Sequence, residues 1–284
     1  MTAIITLLTD FGQRDSYVAE MKGVVLSALP AAQIVDVTHD IAPGNIFAAQ
    51  YVLGRTWQRF PPGTVHVVVV DPTVGTKRRV IAAAAREHLF VAPDNGLLTP
   101  VLAGARVVEV PVPAGASATF HGRDVIAPAA AMLAGGTPLE RLGREIGNPI
   151  RTPPPGVRRD GKDQVGCVIY VDRFGTLVTN IEVAEKAGVA GVREVAEKSA
   201  AGKAAADAAG AAEKGAMAAK PDRAEPTAVV VAGRVVPLRR TFADVAPGEL
   251  VALTGSGGTV EIAMRDGSAV EQLGVKEGAE VRLR

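Results

Sequence analysis

"VVVVDPTVGTKRR" (Val67–Arg79) runs an unbroken apolar stretch straight into an acid, a turn and a basic cluster. A β-branched run with no polar alternation predicts a strand buried on both faces, as in parallel sheets covered by helices on either side. Asp71 follows at the end of that strand, so Asp71, Arg78 and Arg79 are expected in a loop at its carboxyl end. Ligands of open parallel sheets bind there.

The neighbouring segments fit the same architecture. "AIITLLT" before Asp10 and "QIVDVT" (Gln33–Thr38) read as two further strands. "SYVAEMKGVVLSAL" (Ser16–Leu29) has helical apolar spacing, with Ser16 placed to cap it, and "NIFAAQYVLGRTWQRF" gives the next helix. This β-α-β-α-β order predicts a three-layer α/β domain with a mostly parallel sheet. "RVIAAAA" and "HLFVAP" continue the sheet, "DNGLLTPVL" makes a turn and a short helix, and "GRDVIAPAAAMLAGG" (Gly122–Gly136) closes the domain as a small-residue helix. The proline-rich "RTPPPGVRR" (Arg151–Arg159) marks a joint, so the first domain is expected over 1–152 and a second over 153–284. Beyond the joint the rhythm changes to short strands and turns, which predicts a small β-barrel. The Ala/Lys-rich segment 184–226 lacks a core pattern; it is read as a solvated insertion and carries no assigned site.

A length of 284 residues allows one large domain or two ordinary ones, and 48% apolar residues suffice for a sizeable core. Near-balanced charge, 31 basic against 30 acidic side chains, argues against a nucleic-acid or anionic-membrane partner. The single Cys167 allows no internal disulfide and fits a reducing compartment. The start "MTAIITLLTDFG" lacks a basic flank, and no apolar run of about eighteen residues occurs, so a cytoplasmic chain is expected.

Asp10, His39–Asp40 and Asp71 end three successive strands and should rim one crevice. The first turn, "TDFGQRDS", has no G-x-G-x-x-G. Carboxylates there would repel a pyrophosphate and instead suit ribose hydroxyls or a cationic ligand. No histidine pair has metal-ligand spacing, and no G-x-S-x-G elbow occurs. His66 in the valine strand and His88 in a polar turn read as structural. His121, in "TFHGRDVIAPAA", is a capping residue or the third member of a set with Asp71 and Arg78. Such a set could orient a water and remove its proton.

The blocks "LTDFGQRDSYVAEMKG", "VDPTVGTKRR", "FVAPDNGLL", "TFHGRDVIAPAAA", "VDRFGTLVTNI" and "GSGGTVEIAMRDGSAVEQLG" together resemble the S-adenosyl-L-methionine hydroxide adenosyltransferase family, SAM hydrolases related to the SAM-dependent chlorinase and fluorinase. The resemblance covers nearly the whole chain outside the Ala/Lys-rich segment. It implies an N-terminal α/β domain, a C-terminal β-barrel and a homotrimer whose ligand lies between subunits. It also implies hydrolysis of S-adenosyl-L-methionine to adenosine and L-methionine with no further cofactor. By the resemblance, Asp71, Arg78 and His121 handle the nucleophilic water, Asp10 binds the ribose hydroxyls, and Asp15, Ser16 and Tyr17 close beneath the sugar and methionine. Asp172, Ser256 and Gly257 hold the methionine ends; Phe174 and Phe242 pack the adenine; the backbone around Met264, Arg265 and Asp266 reads its edge. "RFGN" in the family pattern is "RFGT" here, so Thr176 stands for an Asn that contacts adenine, and a hydroxyl reproduces amide donor–acceptor geometry only in part. The halide-using relatives lack the acid and the histidine, which favours water. A halogenase and a non-catalytic ligand-binding module are the alternatives.

Overall fold

The computed structural model describes residues 2–183 and 226–284. The Ala/Lys-rich segment, apart from Pro226, lies outside the described residues. The chain divides into two compact units, Met1–Gly156 and Val157–Arg284.

In the first unit the strands are β1 (Ile4–Thr9), β2 (Gln33–Thr38), β3 (Val65–Val69), β4 (Val80–Ala85), β5 (His88–Pro93), β6 (Arg106–Val110) and β7 (Arg144–Glu145). They lie in the order β2-β1-β3-β5-β4-β6-β7. The β2-β1-β3-β5 half is parallel, whereas β4 runs antiparallel to β5 and β6, and β7 antiparallel to β6. The reversal is local in origin. Only Arg86 and Glu87 join β4 to β5, both at positive φ (46° and 67°), the backbone of a two-residue hairpin turn. Hydrophobic periodicity carries no strand direction, so this pairing was invisible in it.

All of β3 is buried. Val65, Val67 and Val69 face helices α1 (Tyr17–Ala28) and α3 (Ala127–Ala134), packing with Met21, Val25 and Ala130. On the other face His66 stacks on Phe90 at 5.0 Å and meets Phe60 at 5.7 Å. That side is also covered by α2 (Ile46–Thr56) and the Trp57 turn that follows it. Each buried valine contributes about 1.5–3 kcal/mol, so the strand is a stiff platform for whatever follows it. Because α1 and α2 cover opposite faces, the chain reverses at β1, and a crevice opens at the carboxyl ends of β1 and β3.

Three local expectations are corrected. Ser16 stands at the start of α1, but its hydroxyl donates to Glu20 Oε1 at 2.6 Å and caps no backbone N–H. His88 is not in a turn: it opens β5, is buried, and its Nδ1 lies 3.1 Å from His66 Nε2. The segment before α3 is also not a plain α-helix, since Gly122–Ile126 forms one buried π-helical turn that runs into it.

The second unit comprises β8 (Arg158–Asp160), β9 (Asp163–Val171), β10 (Leu177–Glu182), β11 (Ala228–Val231), β12 (Arg234–Pro237), β13 (Leu250–Thr254), β14 (Thr259–Met264), β15 (Glu280–Leu283) and a short helix α4 (Ala269–Leu273). The antiparallel order is β12-β11-β15-β9-β10-β14-β13, with β8 on β9. Just past β12, Leu238 bridges to Ala252 and the Arg239 N–H donates to the Ala252 carbonyl at 2.8 Å, which nearly closes the sheet into a barrel. Its core holds Val168, Leu177, Ile181, Val229, Ile262 and Val281.

Candidate active site

The loop after β3 is shaped by its own polar groups. Asp71 Oδ1 accepts from the Thr73 N–H (3.3 Å) and hydroxyl (3.0 Å), and Thr76 Oγ1 donates to the Thr73 carbonyl at 2.8 Å. These bonds fold the loop back, so that Arg78 Nε donates to Asp71 Oδ2 at 2.8 Å, and Arg78 Nη2 contacts the same oxygen. Both side chains are more than nine-tenths buried. The third guanidinium nitrogen, Arg78 Nη1, is buried with no hydrogen-bond partner among the described residues.

His121 comes from a distant loop and joins the same site. Asp71, His121, Phe11, Tyr17, Glu20 and Arg123 are among the residues lining one cavity of about 350 Å³, within the size range of small-molecule sites. The two loops touch at Gly75 (φ +78°), where a Cβ would sit 2.5 Å from the Ala118 carbonyl oxygen; only glycine permits that approach. His121 is buried, and its Nδ1 is a second polar atom without a hydrogen-bond partner among the described residues. Burial, aided by the Arg78 charge, pushes its imidazole below the ordinary histidine range, against the opposing pull of Asp71 and Asp124. His121 is therefore neutral at neutral pH. It caps no backbone group of the helix it precedes.

Asp10 ends β1 and accepts from the Gly44 N–H at 2.8 Å. Burial raises its carboxyl above the usual range, the Gly44 bond opposes this, and the Asp71 charge adds to the rise, which puts the two acids in one electrostatic neighbourhood. His39 does not join them at the rim. It is buried, its Nδ1 lies 2.8 Å from Thr9 Oγ1, and its backbone carbonyl receives the Gly12 N–H. Its role is to tie β2 to β1 beneath the Asp10 loop. Asp40 is exposed. Asp15 and Ser16 are exposed as well, while the Tyr17 ring packs edge-on against Phe120 at 5.3 Å and near Phe11 at 5.8 Å.

Several lining groups escaped the sequence reading. Arg123 Nη1 donates to Glu20 Oε2 at 2.8 Å, its Nε to Asp124 Oδ1 at 2.6 Å, and its guanidinium lies 5.1 Å over the Phe120 ring. Asp124 in turn accepts from the Ser117 N–H at 2.8 Å, bracing the loop that carries His121. The available signal was Arg123 and Asp124 directly after the His121–Gly122 pair, but it said nothing of Glu20, which arrives from another helix.

In the second unit Asp172 Oδ1 accepts from the Phe174 (2.9 Å) and Thr176 (2.8 Å) N–H groups, which shapes the β9–β10 turn. Thr176 is buried at the turn's end. Phe174 is 77% exposed and Phe242 47% exposed, so both present aromatic surface to solvent. Ser256 and Gly257 sit exposed in the β13–β14 turn. The Arg265 N–H donates to Glu249 (3.0 Å) and its carbonyl accepts from Gly248 (2.7 Å), so both its backbone groups are engaged by the neighbouring chain. Asp266 follows at positive φ (57°). Among the described residues no group of three or more His, Cys, Asp or Glu side chains could hold a metal ion, and no helix is long and apolar enough to cross a membrane.

An α/β unit in which a strand-end carboxylate, paired with a buried guanidinium, and a neutral buried imidazole line one cavity, followed in the chain by a near-closed barrel, defines a small-molecule-binding protein of two-domain α/β-plus-barrel type. Residues 5–143 match the SAM hydroxide adenosyltransferase N-terminal domain and residues 213–282 the C-terminal domain. The chain is 37% identical over 295 residues to a protein of Thermus thermophilus named (R)-S-adenosyl-L-methionine hydrolase, covering 98% of both. It is 31% identical over 223 residues to a fluorinase of Actinopolyspora mzabensis, covering 66% of this chain and 74% of that one. The solved structure of an uncharacterized conserved protein from Thermotoga maritima aligns with a TM-score of 0.78 at 33% identity over 98% of this chain and 99% of that one. The chain belongs to the SAM hydroxide adenosyltransferase family.

Proposed function

We propose that this chain hydrolyses S-adenosyl-L-methionine at C5′ to adenosine and L-methionine. The observation that carries the reading is a pair of buried polar atoms with no hydrogen-bond partner among the described residues, Arg78 Nη1 and His121 Nδ1, in the surroundings of Asp71. One donates and the other, in the neutral ring, can accept, which is what a single bound water needs. Both oxygens of Asp71 are already engaged by Thr73 and Arg78, which leaves His121 as the group that takes the proton. The water oxygen bonds to C5′ as the C5′–S bond breaks, and that electron pair stays on sulfur. Since the sulfonium departs as a neutral thioether, no general acid is required, and catalysis rests on alignment and on a fixed positive charge beside the incoming oxygen. The name of the Thermus thermophilus relative supports the same substrate and reaction.

In this reading Asp10 holds the ribose hydroxyls, and Asp15, Ser16 and Tyr17 close over the sugar and methionine. The second-unit residues Asp172, Ser256 and Gly257 hold the methionine ends, and Phe174 and Phe242 sandwich the adenine. Thr176, Met264, Arg265 and Asp266 line the base. The exposed aromatic faces support a stacking role. The engaged backbone of Arg265 shifts edge recognition towards its neighbours. The working form is a cytoplasmic homotrimer in which one chain's first unit meets another chain's second unit, with no nucleic-acid or membrane partner.

Incubation with S-adenosyl-L-methionine in ¹⁸O-water, followed by chromatography and mass spectrometry, tests the reaction. Labelled adenosine and free methionine are expected, unchanged by added chloride or fluoride. A 5′-halogenated nucleoside would assign the chain to the halogenases, and binding without any product would make it a non-catalytic module.

A further inference from the structure

We propose that the consecutive residues Asp94 and Asn95, just past β5, are positioning residues that hold both ends of the loop carrying Asp71 and Arg78. The inference rests on the hydrolase reading above. At the start of the loop, Asn95 Nδ2 donates to the Val70 carbonyl at 2.9 Å, fixing the peptide that leads into Asp71. At its end, Arg79 Nε donates to Asp94 Oδ2 at 2.8 Å, and the Asp94 N–H donates back to the Arg79 carbonyl at 2.9 Å. Asp94 is 1% exposed, and its other oxygen accepts from the Ile150 N–H at 2.7 Å. Arg79 spends its remaining donors on Asn148, with Nη1 on the side-chain oxygen at 3.0 Å and Nη2 on the carbonyl at 2.8 Å.

The adjacent arginines thus divide their work. Arg79 is bound by every guanidinium nitrogen to the unit's own framework, whereas Arg78 keeps one nitrogen without a hydrogen-bond partner among the described residues. The loop between Asp71 and Arg78 is solvent-exposed at Pro72, Thr73, Gly75, Thr76 and Lys77, so its internal bonds alone would leave the pair loosely placed. Two clamps from one dipeptide set their separation from β3. Misplacing reacting groups by about 1 Å can cost on the order of a hundredfold in rate.

Asp94→Asn and Asn95→Leu test the proposal, each near in size to the residue replaced. The readouts are kcat, KM for S-adenosyl-L-methionine, the melting temperature, and the His121 imidazole titration followed by NMR. Asp71, Arg78 and Asp124 are the charged groups acting on His121. Loosening the loop withdraws Arg78 and Asp71 together, and because the lowering by Arg78 outweighs the raising by Asp71, the His121 midpoint should rise in both variants. In Asp94→Asn a direct effect of deleting a negative charge has the opposite sign, so a rise there comes from movement of the loop. The expected result is a loss of kcat of about tenfold to a hundredfold with KM within about threefold. Folded variants that keep kcat within about twofold, or that lose kcat with His121 titrating as in the parent, overturn the proposal. If either variant fails to fold, Arg79→Lys gives the decision: it keeps charge on Asp94 without the fork, and an unshifted His121 in it overturns the idea equally. Should the parent release no adenosine, the hydrolase reading fails by itself, because the His121 titration is read without turnover.

Discussion

At the scale of single residues, the proposed reaction gives three side chains unequal duties. Asp71 is committed to Thr73 and Arg78, so it acts by holding the guanidinium, while His121 keeps a nitrogen available. His121→Ala is expected to lower kcat by about 10²–10⁴-fold, the size of a general-base contribution, and Asp71→Ala by about 10²-fold or more through the misplaced guanidinium, while calorimetry shows S-adenosyl-L-methionine still bound to both. The pH dependence follows from the depressed imidazole: kcat should be flat near neutrality and fall as pH drops through the His121 midpoint, which lies below the ordinary value of 6.5. A midpoint above that value in the kcat profile would contradict the burial that sets it. Gly75→Ala adds one methyl group where there is room for none, 2.5 Å from the Ala118 oxygen, and at a positive φ. It should separate the Asp71 and His121 loops and cost at least tenfold in kcat, with circular dichroism of the folded chain unchanged.

At the scale of elements, β3 is the mount, and its hidden face carries a second device. Burial lowers His66 to about 3, with the neighbouring His88 adding to the effect. The folded state therefore favours the neutral ring. Stability from this source is complete above the unfolded value of 6.5 and is lost as pH falls from there towards 3, amounting to roughly 5 kcal/mol at the limit. His66→Phe should melt below the parent at pH 7, since Thr6 and His88 lose a partner, and the gap should close by pH 4 in thermal melts. Much of this layer was legible beforehand: the valine run, the helical spacing after Asp10 and the strand–helix alternation name the parallel half of the sheet. What stayed hidden depended on features without periodicity. The β4–β5 hairpin rests on two residues at positive φ, the π-helical turn after His121 reads like any small-residue helix, and His39 looks like a rim residue until Thr9 is seen to bind it. Glu20 and Arg123 are 103 positions apart, and no local pattern joins them.

At the scale of the whole molecule, the groups assigned to chemistry and to the sugar lie in Met1–Gly156, with Asp15, Ser16 and Tyr17 also reaching the methionine, and those assigned to the methionine ends and the base lie in Val157–Arg284. If chains pool these halves in a trimer, co-expressed Asp71→Ala and Asp172→Ala subunits should regain about a quarter of the parental rate, the share of sites drawing an intact half from each partner. A dead mixture, or light scattering that finds an active monomer, would refute the pooling. Arg78 Nη1 and His121 Nδ1 bear on thermostability too. Neither has a hydrogen-bond partner among the described residues, and a buried polar atom left unpaired costs about 1–3 kcal/mol. A guest that brings an oxygen to that spot cures the defect, and after turnover the oxygen in question belongs to the 5′-hydroxyl of adenosine. Adenosine should therefore raise the melting temperature more than 5′-deoxyadenosine does, and the catalyst should be slow to let its own nucleoside go.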